Sequence, residues 1–524
     1  MDYYISVGAL AVAAILSCFI SLPIFKILQL SGYKASGLTA WWKSTHFDTL
    51  IRYAALTLMG FVAAIVYVCC FPFDYAKYCA VFVYVIVQGV FAYAMLKKNN
   101  ASVKLTGRMV RLMICDLVLM TALTAGIAWA VYYSCYCQTV VAALGILSPF
   151  VAVAANTIMK PIESLNNLRY VRRAKTKLKA AEPIVVGVTG SYGKTTAKNL
   201  LRAMLETKYS VLATPGSYNT PMGVCKTVNV SLDGQDVFIA ELGARYIGDI
   251  KQLCGIVAPK YGIITAIGDM HIATLKNREG VAKVKFELAQ SLPTDGMLAL
   301  NGYNSDCAAL FERETACRKT LTGEGCDVRY DNVKIDGNGT TFDLYIGQQK
   351  TTVTTKLLGM HIAELTCVCA AIAHELGVSL EQIASAVSGA ETVEHRLQLV
   401  PSAAGIVVID DAYNSNPVGA KNALDVLACF DGYTKIAITP GFVELGAIEK
   451  ECNTELGKQI AAVCDRAYLI GSRAADIKAG AVAGGMDECN ISLFGSRDEA
   501  VEHLKSVDGQ KAVLFENDLP DNIK

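Results

Sequence analysis

Residues 183–196 read Pro-Ile-Val-Val-Gly-Val-Thr-Gly-Ser-Tyr-Gly-Lys-Thr-Thr. Pro183–Val188 is a short, apolar, β-branched run, the signature of a buried parallel strand. Thr189–Thr196 is a glycine-rich turn, and the helical pattern Ala197–Leu205 follows it. Strand, glycine loop and helix in this order form a phosphate cradle. The glycines let backbone N–H groups converge on phosphate oxygens, and the helix N-terminus adds favourable partial charge. Lys194 then pairs with the β- and γ-phosphates, and the Thr195 hydroxyl holds Mg²⁺. The longer G-x-x-x-x-G-K-[ST] pattern is not met, because Val188 stands where its first glycine belongs.

The surrounding composition is unusual. The chain has 524 residues, 53% of them hydrophobic and 18% charged. Mean hydropathy is +0.36. Such a chain is not disordered, which needs low hydrophobicity and high charge. Its 48 Lys+Arg against 47 Asp+Glu leave no surplus to neutralise nucleic-acid phosphates. The apolar excess lies in residues 1–159. There Ile5–Ile24, Tyr53–Phe73, Cys79–Met95, Leu112–Tyr133 and Thr139–Met159 approach the roughly 20 apolar residues of a spanning helix. Basic residues alternate between the intervening segments: Lys26 to Arg52, Lys97 to Arg111 and Lys160 to Lys179 are rich in them, whereas the other two loops carry Lys77 alone. By the positive-inside rule this predicts a multi-pass protein of the cytoplasmic (inner) membrane. Its N-terminus would lie outside and its catalytic domains in the cytoplasm. The basic stretch 160–181 reads as a linker, helical and lying against anionic lipid. Eleven of the 18 cysteines follow Glu182, without any C-x-x-C pair, which disfavours a zinc ribbon. Cys135 and Cys137 fall in an outside loop and could pair with other thiols there.

Further segments carry a resemblance. Asn219–Val224 (NTPMGV), Glu241–Ala244 (ELGA), Ile267–His271 (IGDMH), Gly280–Glu287 (GVAKVKFE), Asp410–Pro417 (DDAYNSNP) and Thr439–Gly446 (TPGFVELG) follow the glycine loop in order. Together with TGSYGKTT they resemble the Mur ligases, the ATP-dependent amide-forming enzymes of peptidoglycan precursor synthesis. The resemblance covers about Glu182–Ala475. The D-D-x-Y-N-x-N-P segment resembles the branch that adds D-alanyl-D-alanine to the UDP-N-acetylmuramoyl-tripeptide. Three departures stand out. The family's G-x-H-N-x-x-N appears as Gly359–Leu365 (GMHIAEL), with both Asn lost, and its G-R appears as His395-Arg396. Its K-G-S-R near the C-terminus is not seen. The apolar region also stands where the family has its UDP-sugar domain.

The resemblance implies a reaction and a site. ATP phosphorylates a carboxylate to an acyl phosphate, and an amine displaces the phosphate. Gly190, Ser191, Tyr192, Gly193, Lys194, Thr195 and Thr196 would hold the nucleotide's phosphates. Thr195 and Glu241 would hold one Mg²⁺, and His271 would help to hold a second. Lys285 matches the family lysine that carries a carbamate and so becomes a metal ligand. A neutral amine is needed for that, which burial supplies. The K-x-E spacing to Glu287 selects Lys285 over Lys283. Asp411, Tyr413, Asn414 and Asn416 would reach the nucleotide, Arg396 would clamp phosphate, and His361 either packs at a helix start or joins the site.

The expected fold is an α-helical membrane domain followed by an α/β region. The latter is a P-loop-type ATPase domain with a mostly parallel sheet, then a Rossmann-like C-terminal domain. The expected boundaries are 1–159 for the membrane domain, 160–181 for the linker, 182–397 for the ATP-binding domain and 398–524 for the last domain. The function that follows is a membrane-anchored, ATP-dependent peptide ligase of cell-envelope synthesis. It would use ATP, Mg²⁺ and a carbamylated Lys285, with a lipid-linked or UDP-linked muramyl peptide as acceptor and an amino acid or dipeptide as amine donor. The lipid bilayer, and other envelope-synthesis enzymes, would be its partners. Two alternatives remain open at this point: a ligase or amidating subunit for another envelope polymer, and a non-catalytic membrane scaffold.

Overall fold

The structure is a computed structural model. It describes residues 21–33, 103–130, 137–268, 275, 277–336, 338–392, 396–400, 406–412, 417–443, 445 and 448–517. The chain divides into two compact units, Met1–Leu168 and Arg169–Pro520.

The described part of the first unit is helical: α1 (Leu22–Leu30), α2 (Gly107–Ala130) and the first part of α3 (Cys137–Ala181). Its apolar residues are used for packing. Phe25, Leu28, Met109, Leu112, Ala152 and Ala155 are buried in one cluster. The Arg111 guanidinium donates to both Glu163 carboxylate oxygens, at 2.7 and 3.0 Å, which ties α2 to α3.

This corrects the membrane reading of the sequence. Among the described residues, no helix is long and apolar enough to cross a membrane. The physical reason is visible in α2 and α3. The segment from Leu112 lies in a helix that begins with Arg108 and Arg111 and buries Asp116. The segment ending at Met159 lies in a helix that buries Asn156 and Glu163. Ionisable and amide groups in these positions are expensive in hydrocarbon. The inner-membrane localisation, the N-out topology and the bilayer as a partner fall with it. The segments Tyr53–Phe73 and Cys79–Met95, and all but the end of Ile5–Ile24, lie outside the described residues.

The second unit holds two sheets. In chain order the first is built from β1 (Ile184–Thr189), α4 (Lys194–Glu206), β2 (Val211–Ala213), α5 (Pro221–Ser231), β3 (Val237–Glu241), α6 (Asp249–Val257), β4 (Tyr261–Ile264), α7 (Arg278–Ser291) and β5 (Met297–Asn301). Then come β6 (Arg318–Thr322), β7 (Val328–Asp336), β8 (Gly339–Ile346), β9 (Gln349–Thr355), α8 (Met360–Glu375) and α9 (Leu380–Ser388). The strand order is β2-β3-β1-β4-β5-β6-β7-β8-β9. Pairing is parallel from β2 to β7 and antiparallel through β7-β8-β9. Alternate residues of β1 face opposite layers. Val186 and Val188 pack with α4, α8 and α9, while Val185 packs with α5, α6 and α7. The basic stretch expected as a linker joins that second layer: Ala174 and Leu178 of α3 are buried in it.

The second sheet runs through β10 (Gln398–Val400), β11 (Ile406–Asp411), α10 (Pro417–Ala428), β12 (Thr434–Thr439), α11 (Glu449–Val463), β13 (Arg466–Ile470), α12 (Ala474–Ala483), β14 (Ile491–Phe494), α13 (Arg497–His503) and β15 (Lys511–Glu516). Its order is β10-β11-β15-β12-β13-β14, parallel except for β10 against β11. The mostly parallel α/β architecture read from the sequence is therefore present twice. In such sheets ligands gather at the carboxyl ends of the strands. Thr189, Glu241, Thr265 and Asn301 stand at or just beyond those ends in the first sheet, and Asp411 in the second.

Candidate active site

The loop after β1 is drawn tight by backbone geometry. Gly190 has φ +155 and Gly193 has φ +77, and a Cβ at Gly190 would stand 2.0 Å from the Thr265 hydroxyl oxygen. The Ser191 amide donates to the Ala266 carbonyl at 2.8 Å, and the Thr265 hydroxyl donates to the Tyr192 carbonyl at 2.5 Å. The Ser191 hydroxyl oxygen accepts from the Gly268 amide at 3.0 Å. The loop is thus pinned to the end of β4 and leads directly into α4.

Lys194, the first residue of α4, donates to the Gly190 and Ser191 carbonyls at 2.8 and 3.0 Å. Burial lowers its pKa to about 8; nearby Glu241 opposes the shift and Arg396 adds to it. One residue on, the Thr195 hydroxyl donates to a Glu241 carboxylate oxygen at 3.0 Å. That same oxygen accepts from the Lys198 ammonium at 3.2 Å, and the other oxygen accepts from the Asn219 amide at 3.1 Å. Glu241 is 1% exposed and Lys198 2%. A hydroxyl and a carboxylate converging beside a phosphate-binding loop match the hard oxygen donors that Mg²⁺ prefers. Thr195 and Glu241 thus fit the ion they were expected to hold. Lys198 and Asn219, which hold Glu241 in place, were not anticipated. The signal for Lys198 was its position one helical turn after Lys194.

Lys285 lies on α7, 3% exposed, whereas Lys283 is exposed on the same helix. A two-residue step on a helix puts side chains on different faces, which separates the two lysines as the sequence reading required. Burial first, then the charge of Lys194, lowers the Lys285 pKa to about 7. Glu287 has a different job: its carboxylate accepts from the Gly248 and Lys251 amides at 2.7 and 3.0 Å, capping the start of α6. His271, Tyr413, Asn414 and Asn416 lie outside the described residues. Among the described residues, no group of three or more His, Cys, Asp or Glu could hold a metal ion.

Arg396 and Asp411 come together from the segments on either side of β10. Both line a cleft of about 840 Å³ with Tyr192, Gly193, Thr196 and Asn301. Burial raises the Asp411 pKa to about 6 while Arg396 opposes the shift, and Asp411 accepts from the Leu397 amide at 3.2 Å. His361 also lines the cleft, and burial with nearby Arg396 lowers its pKa to about 4, so it is neutral at physiological pH.

The two lost asparagines have a simple outcome. Ile362 and Leu365 turn their apolar side chains into the core between α8 and the sheet. Glu364, between them, lines the cleft with its carboxylate against Asn301.

This geometry agrees with the comparisons. Residues 188–373 match the family described as the Mur ligase middle domain, and residues 395–516 match the Mur ligase, glutamate ligase domain. The UDP-N-acetylmuramoyl-tripeptide--D-alanyl-D-alanine ligase of Bacillus subtilis is 31% identical over 336 residues, which is 63% of this chain and 72% of that enzyme. The chain belongs to the Mur ligase family. Members of that family are ATP-dependent amide ligases that use Mg²⁺, so the protein is an enzyme of that type and the scaffold alternative is set aside. The enzyme of the same name from Mycobacterium bovis is 35% identical over 248 residues, 47% of this Mur ligase and 48% of its relative. A crystal structure of MurF from Acinetobacter baumannii superposes with a TM-score of 0.62 at 26% identity, covering 67% of this chain and 77% of that one.

Proposed function

We propose that this Mur ligase joins D-alanyl-D-alanine to the terminal carboxylate of a muramyl tripeptide. The relatives quoted above bear that reaction in their names, and the D-D-x-Y-N-x-N-P segment at Asp410–Pro417 points to the same branch. The observation that carries the reading is the convergence of Lys194, Thr195, Glu241 and Lys285 at the carboxyl edge of the first sheet.

A carboxylate is a poor electrophile, and it repels the triphosphate it must meet. The loop amides and Lys194 offset charge on the nucleotide's phosphates. Bound Mg²⁺, held by Thr195 and Glu241 with help from His271, supplies further charge neutralisation. Lys198 and Asn219 fix the Glu241 carboxylate so that its orientation survives when the ion exchanges. Transfer of the γ-phosphoryl group to the acceptor carboxylate gives an acyl phosphate and ADP. The amine nitrogen of the dipeptide attacks the acyl carbon, the C–O bond to phosphate breaks, and the nitrogen loses its proton as the amide forms. Arg396, at the edge of the second sheet, clamps phosphate oxygens, and Asp411, Tyr413, Asn414 and Asn416 face the nucleotide from the same side.

Lys285 acts as a carbamate in this reading. With its pKa near 7, much of the amine is neutral at physiological pH and open to CO₂. The carbamate converts a cation beside Lys194 into an anion suited to a metal ion.

The test is release of phosphate on mixing ATP, UDP-N-acetylmuramoyl-tripeptide and D-alanyl-D-alanine, with single amino acids as control donors. Turnover with the dipeptide and loss of it in Lys194→Ala are the expected results. Equal turnover in that variant refutes the site, and a preference for a single amino acid refutes the assigned donor. Bicarbonate should stimulate the wild type in CO₂-depleted buffer and leave Lys285→Ala unaffected.

A further inference from the structure

The cleft contains one acidic group that the proposed chemistry leaves unused. Glu364 lies on the second turn of α8, and α8 is otherwise apolar along Ile362–Ile372 apart from Thr366. Its Oε2 accepts from the Asn301 amide nitrogen at 3.3 Å. That amide is itself locked. The same nitrogen donates to the Thr265 carbonyl at 2.9 Å, and its oxygen accepts from the Tyr303 amide at 3.2 Å. Asn301 therefore has one way to face, and it holds the carboxylate with Oε1 left over. Opposite, the Tyr192 ring is fixed by the Asn304 amide, which donates to its hydroxyl at 3.1 Å. The rest of that end of the cleft is aliphatic, from Leu357, Leu358 and Leu365.

A buried carboxylate repels phosphate, so this end of the cleft faces a part of the nucleotide without negative charge. The phosphates are placed at Gly193 and Lys194, at the start of α4. An apolar slot with one fixed acceptor is the usual form of a site for a flat heterocycle with a donor on its edge. We propose that Glu364 is the base-reading residue of this ligase, its free carboxylate oxygen accepting a hydrogen bond from the 6-amino group of the purine. The inference rests on the nucleotide reading of the site and adds to it the group that selects the base. Burial pushes the Glu364 carboxyl up while the Asn301 bond opposes the shift, and an amine donor from the base favours the charged acceptor further.

Equilibrium binding to the full-length protein tests this without needing the acceptor. The probes are ADP, purine riboside 5′-diphosphate, which lacks the 6-amino group, and 2′-deoxyADP, which lacks a ribose hydroxyl. The wild type should bind ADP roughly 10- to 100-fold more tightly than the deaminated analogue, the worth of one hydrogen bond to a charged group. In Glu364→Leu that ratio should fall to about 1. Glu364→Gln keeps the shape, but its carbonyl is taken by Asn301, so an N–H donor faces the base and the ratio should fall as well. The ratio of ADP to 2′-deoxyADP should stay constant in all three proteins. A wild-type ratio near 1, its persistence in both variants, or a change confined to the deoxy analogue overturns the proposal. If the variants do not fold, the wild-type ratio alone decides. Failure of the wild type to bind ADP at all is a different result and refutes the nucleotide reading itself.

Discussion

Lys285 shows how one buried group links chemistry to stability. Folding lowers its pKa from 10.5 to about 7, so the folded state holds its proton less tightly than the unfolded chain. The resulting penalty is fully present below pH 7 and vanishes as pH rises past 10.5. In CO₂-free buffer, Lys285→Met should therefore melt higher than the wild type at pH 6, by about 3 °C or more, with the gap closing towards pH 10. Activity should move the opposite way, being lost in the variant at every pH. In the wild type it should fall as pH drops below about 7 and the amine becomes protonated. A variant that melts lower than the wild type at pH 6 would contradict the burial argument. Identity was legible in the sequence here: the K-x-E spacing selected Lys285, which is buried beside the cradle. The reason for that spacing was not, because Glu287 faces the first turn of α6 and only tertiary structure brings the two together.

At the scale of elements, that cap is a measurable feature. Two amide donors at the start of α6 depend on the Glu287 carboxylate, and no nearby side chain of α6 replaces it at Gly248 and Lys251. Glu287→Ala should cost about 1–2 kcal/mol, read as a shift in denaturant midpoint at constant slope. The loop after β1 is more sensitive still. Gly190→Ala places a methyl group against the Thr265 hydroxyl in a backbone region that side chains avoid. It should destabilise the fold by about 2 kcal/mol or more and weaken nucleotide binding with it. The strand, loop and helix at 183–206 were readable from local pattern because each signal is short-range. The antiparallel extension β7-β8-β9 was not read, since a hairpin of threonines and charges carries little hydrophobic contrast. The apolar segments from Leu112 and before Met159 were misread for a related reason. Hydropathy measures what a segment could bury in, and it does not distinguish lipid from neighbouring helices.

For the whole molecule, the two sheets of the second unit meet at a cleft lined from both sides. Asp411, contributed by the second sheet, has its pKa raised from 3.8 to about 6 by burial. The folded state thus binds a proton more readily than the unfolded one. Stability from this group is complete below pH 3.8 and is lost as pH rises through 6. Asp411→Asn should match the wild type near pH 3.5 and be more stable at pH 7.5, with thermal melts across that range as the measurement. If the two curves run parallel, Asp411 does not titrate as a cleft group. The doubling of the α/β pattern was legible from alternating apolar runs and turns. The cleft itself was legible only through the family resemblance, because its lining comes from segments more than two hundred residues apart, such as Tyr192 and Asp411.

The carbonyl-bound ammonium of Lys194 carries one more consequence. Its pKa near 8 means that a good fraction of the molecules lack that proton in mildly alkaline buffer. An arriving polyphosphate restores the charge, so association should draw a proton from solution. Calorimetric heats of ADP binding at pH 8 should then depend on the ionisation enthalpy of the buffer, with a slope of up to about half a proton per nucleotide. The same slope should shrink towards zero at pH 6.5, where the lysine is already charged.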